Sequence, residues 1–262
     1  GEEIFNENYV YFSSASKYWL AHAKKYCKEI TNKLSLNNNS FVVEIASNDG
    51  YLLQNFVNSN IKCLGIEPTQ NTANEAMLKG VPTLVNFFTE SLAEQFAQDN
   101  ERADLIIANN VLAHVPDIND FVSGFKKLLK EEGTITVEFP HLFELVKHNE
   151  FDTIYHEHYF YFSLYTLNII FNKHDLSIYD VEELETHGGS LRIYITHKGN
   201  IIDSNSIKNN VKRILNKELK SNVNTLDFYS SIQSNAFKIK LEALNYLVKQ
   251  KINNKKIIAF GA

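Results

Sequence analysis

The stretch Phe41–Leu53, FVVEIASNDGYLL, decides how this 262-residue chain is built. Phe41 to Ala46 is a short apolar run interrupted only by Glu44. That is the pattern of a strand buried on both faces of a parallel sheet. Ser47, Asn48, Asp49 and Gly50 then form a tight polar turn, and Tyr51–Asn58 reads as a helix. A strand that turns sharply into a helix aims backbone N–H groups and the helix N-terminus at whatever binds beside it.

The same alternation continues outward. Strand Lys62–Glu67 precedes helix Asn71–Lys79, which Gly80 ends, and helix Glu90–Gln98 precedes strand Asp104–Ala108. Asp117 caps the next helix, with Phe121, Phe125 and Leu128 on one face and Gly133 as its stop. Strand Thr134–Phe139 follows, Ser163 caps LYTLNIIFNKHDL, and two β-rich segments cover Ser177–Val181 and Ser190–Thr196. Upstream, Ser13 and Ser14 cap a helix whose residues Tyr18, Trp19, His22, Tyr26, Ile30 and Leu34 recur at helical spacing. Repeated βα units predict an α/β fold, a doubly wound and mostly parallel Rossmann-like sheet with helices on both faces.

Residues 1–38 read as an N-terminal segment and helix, 39–200 as the ligand-binding domain, and 201–262 as a helical extension. The closing KKIIAFGA reads as an apolar strand opening a further βαβ unit, so the C-terminus is expected to be cut.

With 44% hydrophobic residues, 22% charged residues and a net charge of −5, the composition is that of a globular protein. A nucleic-acid partner would need a basic face, and Lys is instead dispersed and balanced by Glu. No apolar run approaches the roughly 20 residues of a membrane span. The two cysteines, Cys27 and Cys63, form no CxxC pair, which gives no metal framework and suits a reducing cytoplasm.

The ligand follows from the turn and from the second strand. Glu67 in LGIEP ends that strand about 20 residues after the turn, the spacing at which a carboxylate accepts ribose hydroxyls. Of the glycines in a dinucleotide fingerprint only Gly50 is present, so a pyrophosphate has little room. Glu44 and Asp49 add negative charge, which suits a cationic sulfonium and repels phosphate. The pattern favours S-adenosylmethionine over NAD. Its expected contacts are Glu44, Ala46, Asn48, Asp49, Gly50, Tyr51, Leu52, Glu67 and Pro68, with Asn109 and Asn110 at the carboxyl end of the next strand. His114, five residues beyond Asn109, is a candidate for the substrate side. The bland alternative for Glu67 is a strand end that merely caps a helix.

FDTIYHEH, Phe151–His158, places Tyr155, His156, Glu157 and His158 in succession. If the segment is a strand, at least one pair turns inward, where a titratable group needs a partner or has its pKa moved. Such clusters perform proton transfer, although a polar strand edge or a chance metal site is the plain alternative. HGGSLR, His187–Arg192, reads as a close turn with an ion-pairing arginine, a substrate-facing role being its alternative.

With EIASNDGYLL, GIEPTQN, NNVLAHVPD, FDTIYHEH and HGGSLRIY in this order, the chain resembles the S-adenosylmethionine-dependent C-methyltransferases of nucleotide-linked deoxysugars. The resemblance runs from FNENYVYFSS to KKIIAFGA. It implies methylation at C3 of a 4-keto sugar on a thymidine diphosphate carrier, a carbon α to the ketone. It implies His158 as the base, with Tyr155, Glu157, His114 and Tyr9 as further catalytic residues. The family's Cys-rich zinc module and second Rossmann-like unit are not in this sequence, so it is expected to be truncated at both ends. The enolate chemistry fits these side chains: a neutral imidazole removes the proton, and Tyr155 or His114 donates to the oxyanion. Methyl transfer to oxygen or nitrogen of another small metabolite, and a non-catalytic nucleotide-binding domain, are the rival readings. The oligomeric state is not legible.

Overall fold

The computed structural model describes residues 11–99, 101–200 and 205–259, without side chains for 205–208. Its strands are β1 Phe41–Ile45, β2 Lys62–Ile66, β3 Thr83–Leu84, β4 Ala103–Asn109, β5 Leu129–Pro140, β6 Leu176–Leu184 and β7 Ser190–His197. They form one seven-stranded sheet in the order β3-β2-β1-β4-β5-β7-β6. The pairs β1–β2, β1–β4, β2–β3 and β4–β5 are parallel, whereas β7 runs antiparallel to both β5 and β6. The order reverses beside β1 and β4, the switch point where open α/β sheets bind ligands at the carboxyl ends of their strands.

Helices α1 Lys17–Lys33, α2 Gln54–Val57 and α3 Gln70–Leu78 cover one face. On the other lie α4 Glu90–Asp99, α5 Ile118–Leu128, α7 Leu164–Lys173 and α8 Asn205–Lys220; α6 Leu142–His148 follows β5 directly, and α9 Ile232–Ile252 buries no residue. The two-residue period of the strands explains what each face holds. Ile135, Val137 and Phe139 of β5 and Leu191, Ile193 and Ile195 of β7 join the cluster built on Phe121, Phe125 and Phe171. The alternate residues Thr136, Glu138, Arg192 and Tyr194 face α1. There the Tyr26 hydroxyl shares a hydrogen bond with Thr136 at 2.5 Å, and Lys33 pairs with Asp180 at 2.7 Å.

Asp117 and Ser163 cap α5 and α7 as expected. Several local expectations are corrected. Ser16 caps α1, because Ser13 and Ser14 form a 3-10 turn bonded to Asn48 and Asp49. The helix expected over Tyr51–Asn58 is the single turn Gln54–Val57, since Tyr51, Leu52 and Leu53 sink into the core ahead of it. Gly133 lies inside β5 and stops no helix; a Cβ there would meet Leu129 Cδ1 at 2.7 Å and the Ala103 carbonyl at 3.0 Å. Lys255–Ala259 form no strand and are exposed, having no neighbouring strand among the described residues, and Phe260–Ala262 lie outside them.

Candidate active site

A cleft of about 930 Å³ opens at the carboxyl ends of β1, β2 and β4. Its floor is the turn after β1, where Ala46, Asn48 and Gly50 all take left-handed φ of 57°, 49° and 73°. Gly50 is required there: besides its φ, a Cβ would meet Ala76 and Val81 side chains at 3.1 Å. Glu67 braces the turn from β2, one oxygen accepting the Asn48 N–H at 2.8 Å and the other the Thr69 N–H at 3.0 Å and the Thr69 hydroxyl. Ala46, Asn48, Tyr51, Glu67, Pro68, Asn109 and Asn110 all line the cleft, and Asn110 is again left-handed at φ 55°.

Glu44, Asp49, Gly50 and Leu52 do not line it. Leu52 is core. Asp49 pairs with Lys79 at 2.9 Å and accepts the Ser14 hydroxyl, while Asn48 accepts the Ser13 N–H at 2.9 Å and donates to the Tyr11 carbonyl at 3.0 Å. These two side chains strap the N-terminal segment over the turn. Burial, then the charges of Glu67 and Asp49, pushes the Glu44 carboxyl well above the usual carboxylate range. The negative charge expected of Glu44 and Asp49 is therefore weakened: burial favours the neutral form of Glu44, and Lys79 offsets Asp49.

The second half of the cleft comes from two loops that the Tyr159 N–H to Ala113 carbonyl bond of 2.8 Å ties together. One carries His114 at the end of the 3-10 turn Leu112–His114. The other is YHEH, which is a turn closed by the His158 N–H on the Tyr155 carbonyl at 3.1 Å, not a strand. His156 and His158 therefore do not share a face, and His156 is exposed while His158 is half-buried. The His158 ring lies 4.2 Å from that of Tyr155 and, edge-on, 4.8 Å from that of His114. His114, Tyr155 and Glu157 line the cleft, and His158 stands immediately behind them. Burial, reinforced by His114, lowers the His158 pKa against the opposing pull of the Thr153 carbonyl and Glu157. Burial also lowers that of His114 and raises that of Tyr155. Near neutral pH the site thus holds neutral imidazoles and an intact phenol, one set able to accept a proton and the other to donate a hydrogen bond. Tyr9 lies outside the described residues.

Trp19, Phe87 and Phe88 also line the cleft and were missed; His187 lines it too, from the HGGSLR turn for which a substrate-facing role was the alternative reading. Trp19 stacks on His22 at 4.9 Å and lies 6.4 Å from Tyr51. His22 donates to Glu138 at 3.0 Å, and the buried Glu138 pairs with Arg192 at 2.6 Å. In sequence Trp19 is one apolar position on α1; only the docking of α1 shows that it borders the cleft.

The methyltransferase domain family matches residues 19–181. The chain belongs to that family. The C-methyltransferase C-terminal domain family matches residues 185–262 of the same methyltransferase. Among curated relatives, the C-methyltransferase NovU of Streptomyces niveus is 34% identical over 192 residues, 73% of this chain and 46% of NovU. A ubiquinone biosynthesis O-methyltransferase of Bartonella quintana is 25% identical over 97 residues, 37% of this chain and 39% of that protein. The chain thus spans less than half the length of these relatives. Its fold is shared with the PH0226 protein of Pyrococcus horikoshii, with a TM-score of 0.57 and 13% identity over 72% of this chain and 95% of that one. It is shared too with magnesium protoporphyrin IX methyltransferase of Synechocystis with bound SAH, with a TM-score of 0.54 and 13% identity over 68% and 83%.

S-adenosylmethionine is the cofactor that membership brings, and the cleft's chemistry fits it. Among the described residues, the buried side-chain oxygens of Asn109 and Asn110, both lining the cleft, have no hydrogen-bond partner. A cluster of unused acceptors calls for a ligand rich in donors, such as an ammonium group and ribose hydroxyls. No group of His, Cys, Asp or Glu among the described residues is placed to hold a metal, and no described helix is long and apolar enough to cross a membrane.

Proposed function

We propose that this methyltransferase forms a carbon–carbon bond, methylating the carbon α to the ketone of a nucleotide-linked keto-deoxysugar through a base-generated enolate. The observation that carries this reading is the packing of His158 against both His114 and Tyr155 at the rim of the cofactor cleft. Attack by an existing hydroxyl or amine needs a base but places little demand on donors around a new oxyanion. An α-proton is removed only if the charge that develops on the ketone oxygen is held. Here a neutral imidazole, whose lowered pKa keeps it unprotonated near pH 7, takes the proton. Tyr155 and His114 supply the donors, and Glu157, on the same wall, binds sugar hydroxyls or orients an imidazole. When bound, S-adenosylmethionine supplies the electrophilic methyl group. Ala46, Asn48, Tyr51, Glu67, Pro68, Asn109 and Asn110, which line the cleft, would hold it. The similarity to a C-methyltransferase over 73% of the chain supports carbon as the acceptor. The free, buried Cys27 and Cys63 agree with a cytoplasmic setting.

The test is product analysis. Incubated with S-adenosylmethionine and a thymidine diphosphate-linked 4-keto-deoxysugar, the protein should give a product whose new methyl is bonded to the carbon beside the ketone, read by mass spectrometry and NMR. A methyl on oxygen would transfer the assignment to the O-methyltransferases.

A further inference from the structure

The HGGSLR turn opens onto the same cleft. His187, Gly188 and Gly189 are consecutive left-handed residues, with φ of 51°, 75° and 138°. Glycine takes such a conformation freely, whereas a side chain there strains the backbone. The turn therefore carries one imidazole at a position where glycine would be the easier residue, and that imidazole lines the cleft.

Its surroundings hold it in place without using it. The His187 ring meets the edge of Trp19 at 5.5 Å. Behind Trp19 stand His22 and the buried Glu138–Arg192 pair, and Glu138 also accepts from Thr186, the residue before His187, at 3.3 Å. No hydrogen bond from the described residues claims either ring nitrogen of His187. The ring is open to the cleft, yet enough protein surrounds it that burial lowers its pKa despite the opposing charge of Glu138. A neutral imidazole offers one N–H donor and one acceptor.

We propose that His187 is a substrate-contacting residue, hydrogen-bonding a sugar oxygen from the HGG turn while His158 reaches the α-proton from the YHEH turn. This rests on the keto-sugar reading above. The geometry behind it is a polar group presented on a strained turn, backed by an aromatic ring, unclaimed by protein donors or acceptors, and lining the same cleft as His114, Tyr155 and Glu157. Arg192, at the other end of the motif, is buried and serves this turn from beneath through Glu138.

The experiment compares His187→Gly, which keeps the left-handed turn and removes the imidazole, with His187→Asn, which tolerates the turn and keeps a donor and an acceptor. Steady-state methylation of the thymidine diphosphate-linked 4-keto-deoxysugar is measured beside calorimetric binding of S-adenosylhomocysteine. His187→Gly should raise KM for the sugar about tenfold or more, the equivalent of one lost hydrogen bond. S-adenosylhomocysteine affinity should stay within about twofold, and His187→Asn should recover most of the KM. An unchanged kcat/KM in His187→Gly, with wild type active, overturns the proposal alone. Loss of S-adenosylhomocysteine binding in that variant overturns it too, by assigning His187 to the cofactor. Wild type inert toward the keto sugar overturns the function reading, and the proposal with it.

Discussion

Glu67 braces the cofactor turn and borders the cleft at once, accepting the Asn48 and Thr69 N–H groups while lining the space a ribose would fill. Removing it takes away a charged acceptor and frees the left-handed turn at Asn48. Glu67→Ala should therefore weaken S-adenosylhomocysteine binding by roughly 1.5–3 kcal/mol, measured by calorimetry, the range for a hydrogen bond to a charged group. NADH binding more tightly than S-adenosylhomocysteine would overturn the cofactor assignment. Glu67 was legible because strand, turn and strand end are close in sequence and their spacing is set by the fold. The fate of Glu44 was not. Its neutral state depends on burial beside Glu67 and Asp49, and the salt bridge of Asp49 depends on Lys79, which is 30 residues away.

At the scale of elements, α8 is fastened to the sheet domain by one buried carboxylate. Glu218 accepts the Leu164 N–H and the Tyr165 N–H, both at 2.7 Å, so it caps α7 from outside, and it also meets His141 at 2.6 Å. Glu218→Ala leaves those donors buried without a partner and should destabilise the protein by about 3–5 kcal/mol in denaturant unfolding, with faster amide exchange at the start of α7. A loss below about 1 kcal/mol would show that water replaces the carboxylate. Local caps such as Asp117 and Ser163 were readable because the side chain and the N–H groups it serves lie within three residues. Gly133 resembled a helix stop, but its lack of a Cβ serves close packing against Ala103, contact across a distance that no local pattern carries. The YHEH turn was mistaken for a possible strand because its conformation depends on the loop carrying His114.

Over the whole molecule, the carboxyl ends of the parallel strands bring the two halves of the site together. The ends of β1, β2 and β4 deliver Ala46, Asn48, Glu67 and Asn109 to the cleft, and the segments after β4 and α6 deliver His114 and the YHEH turn. The sequence order of these motifs made their gathering around one cleft legible, but the α1 wall needed the fold. Trp19, His22, Glu138 and Arg192 are scattered over residues 19–192 and meet only when α1 packs across β5 and β7. In the proposed reaction this assembly removes a proton from carbon. In D₂O, without S-adenosylmethionine, wild type should exchange the α-proton of the thymidine diphosphate-linked 4-keto-deoxysugar for deuterium. His158→Asn should slow that exchange by about 10²–10⁴-fold, typical of a lost general base, with S-adenosylhomocysteine affinity intact. Because the base must be unprotonated and burial lowers its pKa, the wild-type rate should hold as pH falls past 6.5 and decline only below it. His156→Asn, at the exposed neighbour, should exchange as wild type does. Exchange by His158→Asn at the wild-type rate, measured by NMR on the same sugar, would contradict the account.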